Sequence, residues 1–496
     1  MFSYISSRSR EYASGTRGFV LLAVFIILVD LTSCKKFVQV DPPVTSTSGQ
    51  TVFSDNAGAE AAMTGIYDVM VSNFSGLVSG GSSISYLVGA QADELKDYSP
   101  TSQPLRQFYT NSLSSSTNGK ANKYFWPEIY KQLYVANAVL EGLSKSNNVL
   151  LSASTRQQIG GEAKFMRAFL QFYATNLYGD VPLVTSTDYL TNNNIHRSPQ
   201  GDIYNHIVQD LKDAQSALGN DFVDASGNVT SERTRPNKGA ASALLARTYL
   251  YLGKWDSAEI AATSVLNNSN YALNTDLSSV FLANSPEAIW QFQPVVTPTY
   301  NTFDAYYFIL TSAPGTGRFN VALSPSLIST FEAGDSRFVN WVGQKKVGTT
   351  TYYFPYKYKV GQNKPLTEYV MALRLAEQYL IRAEARAQKG NIDGPSGAIA
   401  DLNTIRSRAG LEPYNGATDM QSVLAAILHE RQVELFTEWG HRWFDLKRTG
   451  TLNSVMGSPG NACQLKGGAW SADWALLPLP LSEIQINPNL TQNHGY

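Results

Sequence analysis

Three carboxylates, Glu430, Glu434 and Glu438, stand four residues apart within Val423 to Trp439. A pair of such groups facing an open cleft could serve as acid and nucleophile of a glycosidase. Like charges at this spacing repel on a helix unless cations sit among them. Arg431, Arg442, Lys447 and Arg448 are near in sequence, and Arg382, Arg406 and Arg408 can come from the preceding helical hairpin. The row is also interleaved with apolar Leu424, Ile427, Leu428 and Leu435. Cations hold carboxylates ionised and do not raise one of the pair into an acid's range. The expectation is therefore a structural ion network of Glu430, Arg431, Glu434, Glu438, Arg442, Asp445 and Arg448, with no catalytic residue. His196, His206, His429, His441 and His494 show no H-E-x-x-H spacing, and neither a G-x-S-x-G elbow nor a phosphate-cradling G-x-x-x-x-G-K-[ST] occurs. No cofactor and no metal are expected. Asp93-Glu94 near Tyr98 could take a cation or sugar hydroxyls, although an acidic pair in a polar loop is usually just solvated.

A different chemistry is written at Cys34. Arg8, Arg10 and Arg17 precede an apolar run from Phe19 to Val29, which is too short to span a bilayer and has the length of a signal-peptide core. The Leu31-Thr32-Ser33-Cys34 ending resembles the lipobox of bacterial lipoproteins. That resemblance implies cleavage before Cys34, diacylation of its sulfur and acylation of its new amino group. Several acyl chains give a stable membrane anchor where one is marginal. Residues 1–33 then read as signal peptide and 34–52 as a lipidated tether, broken by Asp41-Pro42-Pro43. Residues 53–496 read as one domain. Cys463 is left without an intramolecular partner, so packing must hold the fold. The chain is 43% hydrophobic and 11% aromatic with a net charge of −1, which suits a large core and gives no electrostatic reason to expect nucleic acid.

The elements that must position these groups are mostly helical. Asn56 to Met70 places Ala59, Ala62, Met63, Ile66 and Met70 at helical spacing. Helices or hairpins follow at Glu128–Leu143, at Arg156–Leu177 with a Gly179 stop before Pro182, at Gly239–Leu266 and at Met371–Arg408. In the third, Ala246 and Ala258 let two antiparallel helices approach closely at tetratricopeptide-like spacings; in the fourth, Leu373, Ala376, Leu380, Ala383 and Ala387 form a stripe, and its turn is three residues longer than the standard repeat. The repeats thus lie near 128–182, 239–266 and 371–408, with loop insertions at 72–126 and 294–358. The second insertion holds fourteen aromatics in sixty-five residues, about twice the chain average. It shows no helical period, so loop and short strand are expected there.

The run Glu430-Arg431-Gln432-Val433-Glu434-Leu435 with Glu438-Trp439-Gly440-His441-Arg442-Trp443-Phe444-Asp445-Leu446-Lys447-Arg448 closely resembles the C-terminal motif of the SusD/RagB family. The ending Leu477-Pro478-Leu479-Pro480, Glu483, Asn487-Pro488-Asn489-Leu490 and Gln492 to Tyr496 is similar to its terminal signature, as are Leu375-Ala376-Glu377, Leu380 to Ala385 and Gly179-Asp180-Val181-Pro182. The resemblance implies a mainly α fold in which four tetratricopeptide-like hairpins scaffold irregular loops and short strands. It implies a lipoprotein on the outer membrane, facing outside, that captures oligosaccharide and delivers it to a SusC-like TonB-dependent transporter. Peptide capture, as in the RagB branch, is the alternative ligand class; glycoside hydrolysis is a third reading. Contacts are expected from the aromatic loops, at Tyr98, Tyr300, Phe303, Tyr306, Tyr307 and Trp341, with Asp93 and Arg318 as polar partners. Sugar rings lay apolar faces on aromatic side chains while polar groups orient their hydroxyls. Tyr352 to Tyr358 are set aside as packing on the fourth helical unit.

The Cys34 reading has a direct test. Cys34→Ala should leave an unlipidated precursor; an unchanged acylated mass together with full partition into outer membranes would contradict it.

Overall fold

Small residues where helices cross recur along the chain, and they decide which helices can be neighbours. The computed structural model describes residues 52–72, 77–78, 81–100, 103–115, 124–294, 300–362, 364–457 and 460–496. The expected signal peptide, Cys34 and the tether up to residue 51 lie outside the described residues, as do parts of both loop insertions. Gly49–Tyr496 forms one compact unit.

The main helices, in chain order, are α1 Asn56–Ser72, α2 Ile84–Gln91, α3 Trp126–Lys145, α4 Ala153–Tyr178, α5 Gln200–Ala217, α6 Lys238–Tyr251 and α7 Trp255–Leu266. They continue with α8 Phe303–Phe308, α9 Ser336–Trp341, α10 Leu375–Gln388, α11 Ala398–Arg408, α12 Met420–Glu434 and α13 His441–Arg448. Neighbours pack in sequence: α3 on α4, α4 on α5, α5 on α6, α6 on α7, α7 on α10, α10 on α11 and α11 on α12. Eight helices thus make four successive pairs. Ala246, Ala258 and Ala262 are fully buried at the α6–α7 crossing. A Cβ on Gly161 of α4 would come within 2.9 Å of Leu218 at the end of α5. From Gly161 to Tyr178 every residue except Lys164 is buried, so α4 is the central rod of the stack.

Two features of the stack lie outside the sequence expectations. Helix α5, which the expected hairpins do not include, buries Ile203, Ile207, Leu211 and Ala214 on one stripe. The α7–α10 pair is split in sequence by a long insert that carries the aromatic loops.

Four strands tie distant segments together. They pair as β1 Leu95–Asp97 with β3 Val321–Leu323, and β2 Ala288–Phe292 with β6 Val370–Arg374, both antiparallel. A further pair is the hairpin β4 Val342–Val347 and β5 Thr350–Pro355, with Gly348 at φ +59° in its turn. Helix was expected from Met371, yet Val370–Arg374 is strand and α10 starts at Leu375. A short apolar run buried on both faces has no period that separates strand from helix. Short helices also stand where loop was expected. Side chains of Ser83, Thr302 and Asp335 accept from the backbone N–H groups of Tyr86, Ala305 and Arg337, and so start α2, α8 and α9. None of the three is long enough to show a pattern.

The core centres on two tryptophans. Trp290 meets Phe165 at 4.9 Å, Phe169 at 5.2 Å and Phe292 at 4.3 Å, while its indole N–H donates to the Thr234 carbonyl at 3.1 Å. Trp439 meets Phe169 and Tyr173 at 5.4 and 5.5 Å and donates to the Met371 carbonyl at 2.7 Å. Both rings bury a large apolar area with their one donor satisfied.

The Gly179 stop of α4 has φ +76° and ψ −123°, a conformation that side chains disfavour. An added Cβ would also stand 2.8 Å from Leu476. Gly179→Ala should therefore cost about 1–3 kcal/mol, read as a lower urea midpoint at unchanged slope.

Candidate ligand-binding site

Helix α12 ends at Glu434, so the carboxylate row does not continue along one helix to Glu438. Thr437, Trp439 and Gly440 all have positive φ, at 52°, 48° and 70°. This turn swings Glu438 back toward the end of α12. Glu430 meets Arg337 at 2.6 Å, and Glu434 meets Arg337 at 3.0 Å and Arg374 at 2.5 Å, with Arg408 closing on Glu434 as well. Glu438 meets Arg374 at 2.8 Å and Lys357 at 2.5 Å. Glu287, from the start of β2, completes the set at 3.0 Å from Arg374 and 2.8 Å from Arg408. Lys357 also donates to the Glu434 and Phe436 carbonyls, at 2.8 and 2.9 Å, and so caps the end of α12. A second cluster joins Asp445 to Arg431 and Arg448, each at 2.8 Å, and Arg448 to Glu384 at 2.5 Å. Arg382, considered for the first network, pairs with Asp401 instead.

Burial by itself would raise all these carboxyls. For Glu434 the guanidiniums of Arg408, Arg374 and Arg337 outweigh burial and hold it well below the ordinary carboxylate range. Glu438 is lowered in the same way by Arg374 and Lys357. Glu430 stays raised because burial outweighs Arg337. Each of the three carboxylates is buried against cations, with no opening for a sugar. The arrangement pins elements together.

The aromatic side chains of the second insertion fall in two groups. In the first, α8 carries Phe303, Tyr306 and Tyr307 on adjoining turns. Tyr300 lies 4.6 Å from Phe303 and 5.1 Å from Tyr306, and Tyr307 lies 5.2 Å from Tyr306 and 5.9 Å from Tyr86 of α2. Arg318 stands 4.2 Å over the Tyr306 ring, donates to the Tyr306 carbonyl at 2.8 Å and reaches Gln362 at 3.0 Å. The guanidinium is thereby oriented, with donors left over. Tyr300, Tyr306, Tyr307 and Arg318 are half-buried, an exposure suited to offering one ring face. Burial raises the Tyr307 phenol, so the hydroxyl stays a neutral donor and acceptor at ordinary pH.

The second group is made by the β1–β3 pairing. Tyr98 follows β1, and its N–H donates to the Asn320 carbonyl at 2.8 Å. Its ring meets Tyr352 of β5 edge-on at 5.5 Å, and both pack on the small cluster that includes Phe319 and Phe354. Arg318 lies 4.4 Å from Phe319 and so touches both groups.

Three of the expected contact residues belong elsewhere. Trp341 is fully buried, donates to the Leu277 carbonyl at 2.8 Å and lies under Lys357, Arg374 and Arg408 at 5.0, 5.8 and 5.6 Å, as a lid on the ion network. Asp93 is committed to Arg442 by two bonds of 2.8 and 2.7 Å, which outweigh its burial and lower it. Phe303 is 5% exposed and supports the other rings from beneath. Tyr352, expected to pack on the fourth helical unit, instead stands half-buried beside Tyr98, while Phe354 and Tyr358 of that segment are buried. Gln362 carried no signal at all, since only the fold brings it to Arg318.

Compared with known proteins, residues 342–496 match the model of the SusD family. Residues 83–250 match a second model, described as starch-binding associating with outer membrane. The chain is 25% identical to SusD-like protein P25 of Formosa agariphila, over 96% of this chain and 99% of that protein. A SusD superfamily protein from Bacteroides vulgatus superposes with a TM-score of 0.77 at 23% identity, covering 89% of this chain and 99% of the other. A laminarin binding SusD-like protein superposes with a TM-score of 0.70, again at 23% identity, covering 89% of this chain and all of the other.

The ion network predicts an acid-sensitive fold. The folded-state pKa values of Glu434, Glu438 and Asp445 lie below their unfolded values. Their stabilisation is therefore complete above the unfolded values of about 4 and is lost as pH falls through the folded ones. Glu434→Ala takes one shared carboxylate from three buried guanidiniums, leaving their charge only partly compensated, and should cost about 3–5 kcal/mol, seen as a lower melting temperature at pH 7. Ligand affinity of the folded fraction should be nearly unchanged; intact melting with abolished binding would contradict the structural assignment.

Proposed function

Because this chain belongs to the SusD/RagB family, we propose that it captures oligosaccharide and passes it to a SusC-like TonB-dependent outer-membrane transporter. Acyl chains on Cys34 would hold it at the outer membrane, facing outside, with residues 53–496 as the binding domain. One observation carries the binding reading: the half-buried rings of Tyr300, Tyr306 and Tyr307 gather beside an oriented guanidinium, with Tyr98 and Tyr352 next to them. Flat apolar ring faces with a few fixed polar groups are what the two faces of a pyranose require. The similar structure described as laminarin binding supports the same ligand class. The family model described as associating with outer membrane supports the location. No described helix is long and apolar enough to cross a membrane.

The reading is one of binding without cleavage. A glycosidase needs two carboxyls across an open site, whereas the clustered carboxylates of α12 and the turn after it are spent on arginine and lysine.

Isothermal titration against oligosaccharide and peptide panels tests the ligand class. Tyr306→Ala should lose about 1–3 kcal/mol of oligosaccharide binding, the range for flat ligands on aromatic faces, with melting unchanged. Binding of peptides alone, or unchanged affinity in Tyr98, Tyr300, Tyr306 and Tyr307 alanine variants, would move the site or the ligand class.

A further inference from the structure

The chain as a whole is close to neutral, at −1, but its charges are not evenly spread. Residues 300–367 hold seven Lys and Arg against three Asp and Glu. Two of the three acids are buried, and the exposed third, Glu332, is held in an ion pair. Asp304 is buried against a small cavity shared with Lys357 and Glu438. Asp335 pairs with Arg337 at 2.8 Å and Glu332 with Arg406 at 2.6 Å. Glu368, just beyond, is buried and accepts from the Lys359 and Val360 N–H groups, at 2.5 and 3.0 Å. The β1 segment repeats the arrangement. Asp93 pairs with Arg442, Glu94 is buried on the Thr437 N–H, and Asp97 pairs with Arg106 at 2.8 Å.

What remains at the rim of the aromatic groups is cationic. The Lys96 ammonium lies 5.1 Å over the Tyr98 ring, and the Arg318 guanidinium lies between Tyr306 and Phe319. Lys345 is directly opposite Tyr352 in the β4–β5 hairpin, so the two side chains share one face. Among the described residues, none of these three cations forms an ion pair with a carboxylate. Three unpaired cations spread over adjoining rings, with the carboxylates of these segments buried or already paired, form a surface of one sign. A neutral glycan needs no such surface, whereas an anionic one gains steering and register from it.

We propose that the ligand of this site is an acidic glycan, bearing carboxylates of uronic acids or sulfate esters. Its rings stack on Tyr98, Tyr306 and Tyr352, and its anionic groups meet Lys96, Arg318 and Lys345. This inference rests on the glycan-capture reading and narrows it. The guanidinium suits a planar carboxylate through two parallel donors, and the lysines suit either anion as point charges.

The test compares oligogalacturonate and sulfated galacto-oligosaccharide with neutral malto- and laminari-oligosaccharides of the same length, at low and high salt. The probe variant is Lys96→Gln/Lys345→Gln, checked by its melting curve; both side chains lie at the rim, so the fold should be unaffected. The expected result is binding of at least one acidic series over the neutral ones, weakened about tenfold by the double substitution or by added salt. Neutral oligosaccharides binding as well as acidic ones, with the double variant unchanged, would overturn this inference and leave glycan capture standing. No glycan binding of either kind, with an oligoglutamate peptide bound instead, would overturn both.

Discussion

Arg374 is the residue on which most of the structure converges. It is the last residue of β6 and the residue before α10, and it lies 2% exposed among Glu287, Glu434 and Glu438. Those three carboxylates come from the start of β2, the end of α12 and the turn that leads to α13. A single planar cation therefore fixes one strand pair against two helices and the chain reversal between them. Its own charge is held firmly: burial opposes it, but the surrounding carboxylates raise its pKa well above the ordinary arginine value. A buried pair of this kind adds little net stability over apolar packing, yet losing one partner is costly. What it adds is specificity: few alternative packings can satisfy three carboxylates and four cations at once.

The aromatic face depends on this anchor at one remove. Lys357 and Arg337 belong to the insert that carries the aromatic loops, and both end in the network. Asp304, inside the helix that presents Tyr306 and Tyr307, faces the same small cavity as Lys357 and Glu438. Burial and the neighbouring Glu438 charge push its carboxyl up to about 7, so at neutral pH it joins the network only in part as an anion. The rings themselves are set by packing on one another and by the β1–β3 pairing, which brings Tyr98 more than 200 residues through the chain to Asn320.

The helical stack was largely legible from sequence because its elements are long and one-sided. Ala246, Ala258 and Ala262 mark a close crossing wherever they occur at that spacing. The ion network was legible as a set of partners, since a row of like charges has to be answered. Its geometry was not: Glu438 is placed by three positive-φ residues, and nothing in Glu430, Glu434 and Glu438 announces a chain reversal. The site residues were legible only as a population of aromatics. Whether a given ring lies outside, like Tyr306, or inside, like Trp341, depends on which cations and strands come to meet it from far away. Short capped helices such as α8 are likewise invisible to periodicity.

The insert between α7 and α10 is riveted to the buried network through Arg337 and Lys357. Between and before these rivets lie two separate stretches, one holding Tyr300 to Phe319 and the other the β4–β5 hairpin. Each can change length and composition without disturbing the helices, provided the rivets stay. Such a chain separates what must stay constant from what can vary. Its surface can be rewritten cassette by cassette while the inheritance of a stable body is passed on untouched.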